Sequence, residues 1–377
     1  MAATVNWDRL RELASFRAEK GFAVSLYLNL DPRDTPTIGD AQSRVHSLLD
    51  QAGRATDRAE LGHDQRAALK SDLERIRHFV ELEFDRDGAR GLAVFAAGLD
   101  NFWSPLPLTA SVPDEVKVND ELYLTPLVPL VGRGEGALVA VVGRERGDLY
   151  RLRAGRLEEL LDRTEEQPGR HDQGGWSQAR YQRHIQNLVA GHLRRVAEEL
   201  DRLVRRRPTP IVVFSSEETR AEFAELLSKE VRRAIAGWAS AEAHAGPAEL
   251  LEPTTDLLER QNEEHETEAL ERWREEAGRS GRAASGWSAT LEAASDGRIE
   301  LLLYQQGVEH EAWRCPACGR LSLERGQCPL DGTELERRDE GLDLAIHRTL
   351  AHGGSVLAAS HRSDLEPVGG IGALLRF

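Results

Sequence analysis

The 377-residue sequence has little to hold it together covalently and little to place it in a membrane. It contains three cysteines and a single methionine, and only 6% of its residues are aromatic. An odd number of cysteines confined to one stretch, Cys315, Cys318 and Cys328, excludes a disulfide framework and points to a metal site in a reducing compartment. No apolar run reaches the roughly 20 residues that a membrane helix needs. Met1–Arg9 lacks the basic start and apolar core of a signal peptide, so the expected location is the cytoplasm, with no membrane partner. Lysine is almost absent, at positions 20, 70, 117 and 229 only, and nearly all positive charge is arginine. No phosphate loop, dinucleotide fingerprint or serine-nucleophile elbow is found, so no nucleotide cofactor is expected.

What is present is a soluble, charged chain: 40% hydrophobic, 30% charged, with a net charge of −15. That balance argues against coating of nucleic acid. The charge is nevertheless uneven. Acidic residues crowd Glu263–Glu276, whereas Arg180, Arg183, Arg194, Arg195, Arg202, Arg205, Arg206 and Arg207 make a basic segment. Arginine forks suit phosphate, although these side chains also fit the solvated face of a helix whose apolar stripe is Leu188, Leu193, Val196, Leu200 and Leu203.

The pattern of apolar residues alternates between strands and helices in three blocks, 1–125, 126–265 and 266–377, an α/β class with a mixed sheet in each. In the first, 23–30 and 91–97 read as strands and 41–51 and 64–83 as helices. In the second, 136–142 is a strand too apolar for a wet face, 148–153 its hairpin partner, and 177–206 a long helix. A strand at 210–214, a helix over 217–236 and a strand at 238–244 follow, and a second long helix starts at Thr254. The third block carries a cysteine-rich insert at 313–336.

Two segments carry chemistry. The first is Gln173–His184, QGGWSQARYQRH, where paired glycines open into a helix. Glycines allow close approaches that a side chain would block, and a helix start offers free N–H groups. A plain reading is a glycine loop capped by Ser177. Trp176 can stack on a base or cover the root of its own loop. The second is Cys315-Pro-Ala-Cys318-Gly and Cys328-Pro-Leu-Asp331-Gly, with nine residues between the two pairs. Zinc takes four ligands from thiolate, imidazole or carboxylate. Asp331 stands where a fourth cysteine would, and His310 is another candidate. The alternative is a ribbon that keeps its turns and has lost its metal.

The first segment resembles the Gly-Gly-Gln loop of the archaeal and eukaryotic peptide-release-factor and Pelota superfamily, on Gly174, Gly175, Ser177, Arg180 and Tyr181. Trp176 stands at the family's glutamine, and a glutamine follows two places on, at Gln178. That spacing is similar to the GxxQ variant of quality-control peptidyl-tRNA hydrolases and of bacterial members of the superfamily; hibernation factors of the Balon type are similar in overall plan. The cysteine insert and the ending Gly369–Phe377 are similar to the family's C-terminal domain. The resemblance implies three domains, the middle one RNase H-like and the last L7Ae-like with a zinc-ribbon-like insert. It also implies a ribosomal A-site factor whose catalytic tip is Gly174, Gly175 and Gln178. Trp176, Arg180, Arg183, Arg194 and Arg195 would contact RNA, and Cys315, Cys318, Cys328 and Asp331 would hold a structural Zn2+. Implied partners are the large-subunit peptidyl-transferase centre, peptidyl-tRNA and a translational GTPase, with the chain monomeric off the ribosome. Residues 1–124 hold no stop-codon-reading motif of that family, so termination at stop codons is not expected.

Overall fold

The computed structural model describes residues 5–58, 61–131, 136–144, 146–153, 155–161, 176–206, 208–241, 245–279 and 281–377; the side chains of 55–58, 161 and 176–188 lie outside that description. The described residues make a mixed α/β structure with four sheets. It divides into two compact units, residues 1–132 with 263–377, and residues 133–262.

The first unit opens with α1 (Trp7–Ala14), β1 (Ala23–Asn29), α2 (Ile38–Arg58), α3 (His63–His78), β2 (Gly91–Ala97), β3 (Phe102–Leu108) and β4 (Glu115–Asn119). Asn6 caps α1 by accepting the Arg9 N–H at 2.8 Å. The strands form an antiparallel sheet in the order β3-β2-β1-β4. Its alternation explains why β1 and β2 are apolar throughout. Val24, Leu26 and Leu28 point into one core with Val45, Leu49 and Leu73 of α2 and α3. Ala23, Tyr27, Ala93 and Phe95 point into another, shared with residues of the last third of the chain such as Leu291 and Ile346. A strand buried on both faces has no wet positions to mark it.

The second unit holds β5 (Leu138–Val142), β6 (Gly147–Arg153), β7 (Arg156–Leu161), α4 (Trp176–Arg206), β8 (Ile211–Phe214), α5 (Glu217–Leu226), α6 (Lys229–Ala234) and β9 (Ile235–Ala239). Its sheet runs β7-β6-β5-β8-β9, with β5–β8 and β8–β9 parallel. Leu138, Ala140 and Val142 face Leu193, Val196 and Leu200 of α4. Val139 and Val141 face Leu250 and Leu258. The helix expected over 217–236 is broken. Ser216 caps α5 and Ser228 caps α6 through the N–H groups of Thr219 and Val231, and β9 takes the last residues of the expected helix.

Helix α7 (Pro247–Gly278) begins seven residues before the expected Thr254. Pro247 occupies its first position, where no N–H is needed, and the Gly246 N–H donates to the Glu249 carboxylate at 2.8 Å. Its second half belongs to the first unit: buried Glu266 accepts the N–H groups of Ser360, His361 and Arg362, and Trp273 Nε1 donates to Ala284 O. There follow β10 (Ala283–Ser285), α8 (Trp287–Ser295), β11 (Ile299–Gln305), β12 (Ala312–Arg314), β13 (Leu321–Ser322), β14 (Glu336–Arg338), α9 (Gly341–Ala351), β15 (Ser355–Ala359) and β16 (Ile371–Leu375). They make one sheet ordered β10-β16-β11-β15 and a small antiparallel one ordered β13-β12-β14.

Candidate functional site

The small sheet presents two copies of one turn. In the first, the Cys315 N–H donates to Arg320 O at 2.8 Å and the Gly319 N–H to Cys315 O at 2.9 Å. In the second, Cys328 donates to Thr333 O at 2.8 Å and Gly332 to Cys328 O at 2.9 Å. Gly319 and Gly332 both have positive φ, +74° and +73°, a backbone state that favours glycine. Cys318 and Asp331 therefore occupy equivalent places, each three residues after a buried cysteine.

These turns bring the donor atoms of Cys315, Cys318, Cys328 and Asp331 within 4.8 Å of one another. Cys318 Sγ and Cys328 Sγ are 3.5 Å apart, and Cys315 Sγ lies 3.6 and 3.7 Å from the two Asp331 oxygens. A tetrahedron built on metal–sulfur bonds of about 2.3 Å has edges of about 3.8 Å. Three sulfurs and a carboxylate at these spacings fit a divalent zinc-class ion with all four positions closed. His310, the other candidate, turns elsewhere: its Nδ1 lies 2.7 Å from Glu311 O and its ring packs on Trp287.

The electrostatics of the set are uneven. The Thr333 N–H holds the Asp331 carboxyl down at about 2. Burial opposes ionisation of Cys315, but the N–H groups of Cys318 and Ala317 outweigh it and lower the thiol below its ordinary range. The Arg320 N–H favours the Cys318 thiolate, yet desolvation and the neighbouring thiols push it up to about 11. Among the described residues, Cys315, Cys328, Leu335 and Trp313 form the apolar cluster beneath, a core too small to hold the insert alone.

Arg314, next to Cys315, fastens this insert to the first block. Its side chain is 4% exposed, bridges to Asp120, and lies 2.9 Å from Glu121. Nearby, Asp343 of α9 accepts the N–H groups of Leu124 and Thr125 and the Thr125 hydroxyl, at 2.7, 2.9 and 2.9 Å. His347, one turn on, lies 2.7 Å from Leu122 O and 3.3 Å from Ala14 O. Neither group was singled out from the sequence, because their partners lie 218 to 333 residues away and share no spacing with them.

The other expected site sits at the start of α4. Gly174 and Gly175 lie outside the described residues. Trp176, Gln178, Arg180 and Arg183 fall in the opening turns of α4, a helix of 31 residues, and their side chains lie outside the description. Arg194 and Arg195 are exposed on the same helix, opposite the stripe formed by Val189, Leu193, Val196, Leu200 and Val204.

Residues 123–279 match the model of the family described as Bacterial archaeo-eukaryotic release factor family 10. Among curated proteins, the chain is similar to peptide chain release factor subunit 1 of Archaeoglobus fulgidus, 24% identical with 98% of this chain and 96% of that protein covered. It is also similar to peptide chain release factor subunit 1 of Thermococcus onnurineus, 25% identical with 82% and 77% covered. Among solved structures, Archaeoglobus fulgidus Pelota aligns over 100% of this chain and 93% of its own, at 15% identity and a TM-score of 0.34. A model of ribosome-bound archaeal Pelota aligns over 100% and 95%, at 14% identity and a TM-score of 0.45. The similarity to release factors runs over 98% of the chain, and its middle part carries the match to the bacterial archaeo-eukaryotic release factor model.

Proposed function

We propose that this chain is a translation factor that enters the ribosomal A site and hydrolyses the ester of peptidyl-tRNA on stalled ribosomes or large subunits. The observation that carries the reading is the near full-length similarity to release factors, combined with a glycine pair placed immediately before a 31-residue helix. Such a helix is roughly 46 Å long and gives a rigid stem to a loop that must reach far. Gly174 and Gly175 let the backbone approach the ester. Gln178 orients a water, and a backbone N–H beside it stabilises the developing oxyanion. Positioning supplies much of the rate, so little acid–base chemistry is asked of the protein. Arg180, Arg183, Arg194 and Arg195 hold rRNA or acceptor-stem phosphates without reading sequence, and Trp176 stacks on an unpaired nucleotide.

In this reading the blocks 1–125, 126–265 and 266–377 act as the three domains of the family, with an RNase H-like middle and an L7Ae-like end. The protein is cytoplasmic, monomeric off the ribosome, and partnered by a translational GTPase. Zinc held by Cys315, Cys318, Cys328 and Asp331 staples the insert; four closed positions leave none for catalysis.

Peptide release from loaded ribosomes tests the chemistry. Gln178→Ala is expected to lower the rate about 100-fold, the usual loss of one transition-state contact, and Gly175→Ala to lower it comparably. Equal rates in wild type and both variants would defeat the hydrolase. One feature favours a second reading: Trp176 occupies the family's glutamine position. A factor that occupies the A site without chemistry, in rescue or hibernation, would co-sediment with vacant ribosomes and release no peptide.

A further inference from the structure

The chain has three thiols, and all three stand in the small insert with the carboxylate of Asp331 as their fourth companion. They are not equivalent. Cys315 and Cys328 are 0% and 2% exposed, whereas Cys318, at the end of the first turn, is open to solvent. Cys315 Sγ faces the two Asp331 oxygens at 3.7 and 3.6 Å. Cys318 Sγ faces Cys328 Sγ at 3.5 Å, a gap that a side-chain rotation closes to bonding distance. The thiols therefore divide into one facing pair, with one member reachable by a solute, and one buried thiol turned to a carboxylate.

A carboxylate forms no disulfide, so Asp331 limits the insert to one bridge and leaves one thiol over. The facing pair takes one cysteine from each of the two turns. A bond between them ties the same turns that a metal ion would tie, and the small apolar cluster beneath needs such a tie.

We propose that Cys318 and Cys328 of the metal-free chain are a redox pair, joined by an oxidant of the peroxide class into a disulfide that replaces the metal ion as staple of the insert, with Cys315 left as a thiol. The Cys318 sulfur, its proton given to solvent, attacks one peroxide oxygen. The O–O bond breaks, hydroxide leaves and a sulfenic acid forms. The Cys328 sulfur, likewise deprotonated, attacks that sulfur; the S–S bond forms, the S–O bond breaks and a second hydroxide leaves. The two released protons and two hydroxides make two waters, and the two electrons lost by the sulfurs reduce the peroxide. A thiol reductant reverses the bridge by exchange. The bridge removes two of the four ligands, so metal and disulfide exclude each other. That exclusion rests on the metal reading given above; the bridge itself does not.

The full chain, stripped of metal by a chelator in the presence of reductant, is freed of both and treated with an equimolar amount of hydrogen peroxide. Peptide mapping is expected to find one disulfide, from Cys318 to Cys328, and a thiol reagent to find one thiol per chain. Hydrogen exchange in 312–338 should be about tenfold slower in the oxidised than in the reduced metal-free chain, since a short loop has been closed. Cys318→Ser, at an exposed position, should leave Cys328 unbridged and exchange fast after the same treatment. Zinc bound beforehand should keep all three thiols reduced. A bridge that maps from Cys315 to either other cysteine in the wild type, a sulfinic acid with no bridge, or exchange that oxidation leaves unchanged overturns the proposal, and equal bridging with and without bound zinc overturns the exclusion. A chain that binds no zinc but forms the bridge from Cys318 to Cys328 defeats the metal reading and upholds the redox pair.

Discussion

Asp331 shows how the turn that carries a residue fixes which neighbours its carboxylate meets. The repeated Cys-Pro-x-x-Gly frame was legible in the sequence, and so was the aspartate in the second frame; the choice between Asp331 and His310 was not, because a ligand set depends on where side chains point. The duplicated turns place Asp331 beside the three cysteines, while His310 stands outside that cluster. Replacing Asp331 with Cys is expected to tighten zinc about tenfold or more, thiolate being the softer ligand, as measured by competition with a chromogenic chelator. Asp331→Ala should weaken it. Asp343 could not be found at all from spacing, since the N–H groups it accepts belong to Leu124 and Thr125. Asp343→Ala leaves buried donors unpaired and should cost about 3 kcal/mol in denaturant unfolding. Asp343→Asn, which keeps an acceptor oxygen, should cost less.

At the scale of elements, α4 was legible nearly to the residue because its apolar stripe is long and regular. The break between α5 and α6 was missed, although Ser228 is an ordinary cap, because the apolar period continues across it. The start of α7 was placed too late: its signals are Pro247 and Glu249, and Pro253 lies inside the helix. The seat of α4 on β6 is tight. A Cβ at Gly147 would meet Val196 Cγ2 at 2.7 Å and His192 Cε1 at 2.8 Å, so Gly147→Ala should destabilise by about 1–3 kcal/mol. His192 is 1% exposed, and both its ring nitrogens are buried without a partner among the described residues. His192→Leu should therefore be neutral or raise the melting temperature, having removed an unpaid desolvation; a loss of several degrees would mean the imidazole has a partner that these contacts do not reveal.

At the scale of the molecule, three blocks were visible as successive strand and helix runs, but the sequence had no way to announce that the first and last share one core. Tyr27 and Phe95 meet Trp287 and Ile346 in a single cluster, which no local pattern encodes. Removal of metal by a chelator should therefore raise hydrogen exchange in 312–338 and, through Arg314, around Asp120 and Glu121, while 133–262 stays protected. The Asp343 bonds to Leu124 and Thr125 span 219 and 218 residues, and that distance sets an order of events. Loop closure over so long a stretch is entropically slow, so the middle of the chain can complete its own sheet while the opening third still waits, half-sealed, for a helix not yet synthesised. Until that helix arrives, the face of β1 and β2 that carries Ala23, Tyr27, Ala93 and Phe95 lacks the packing partners it meets in the finished core.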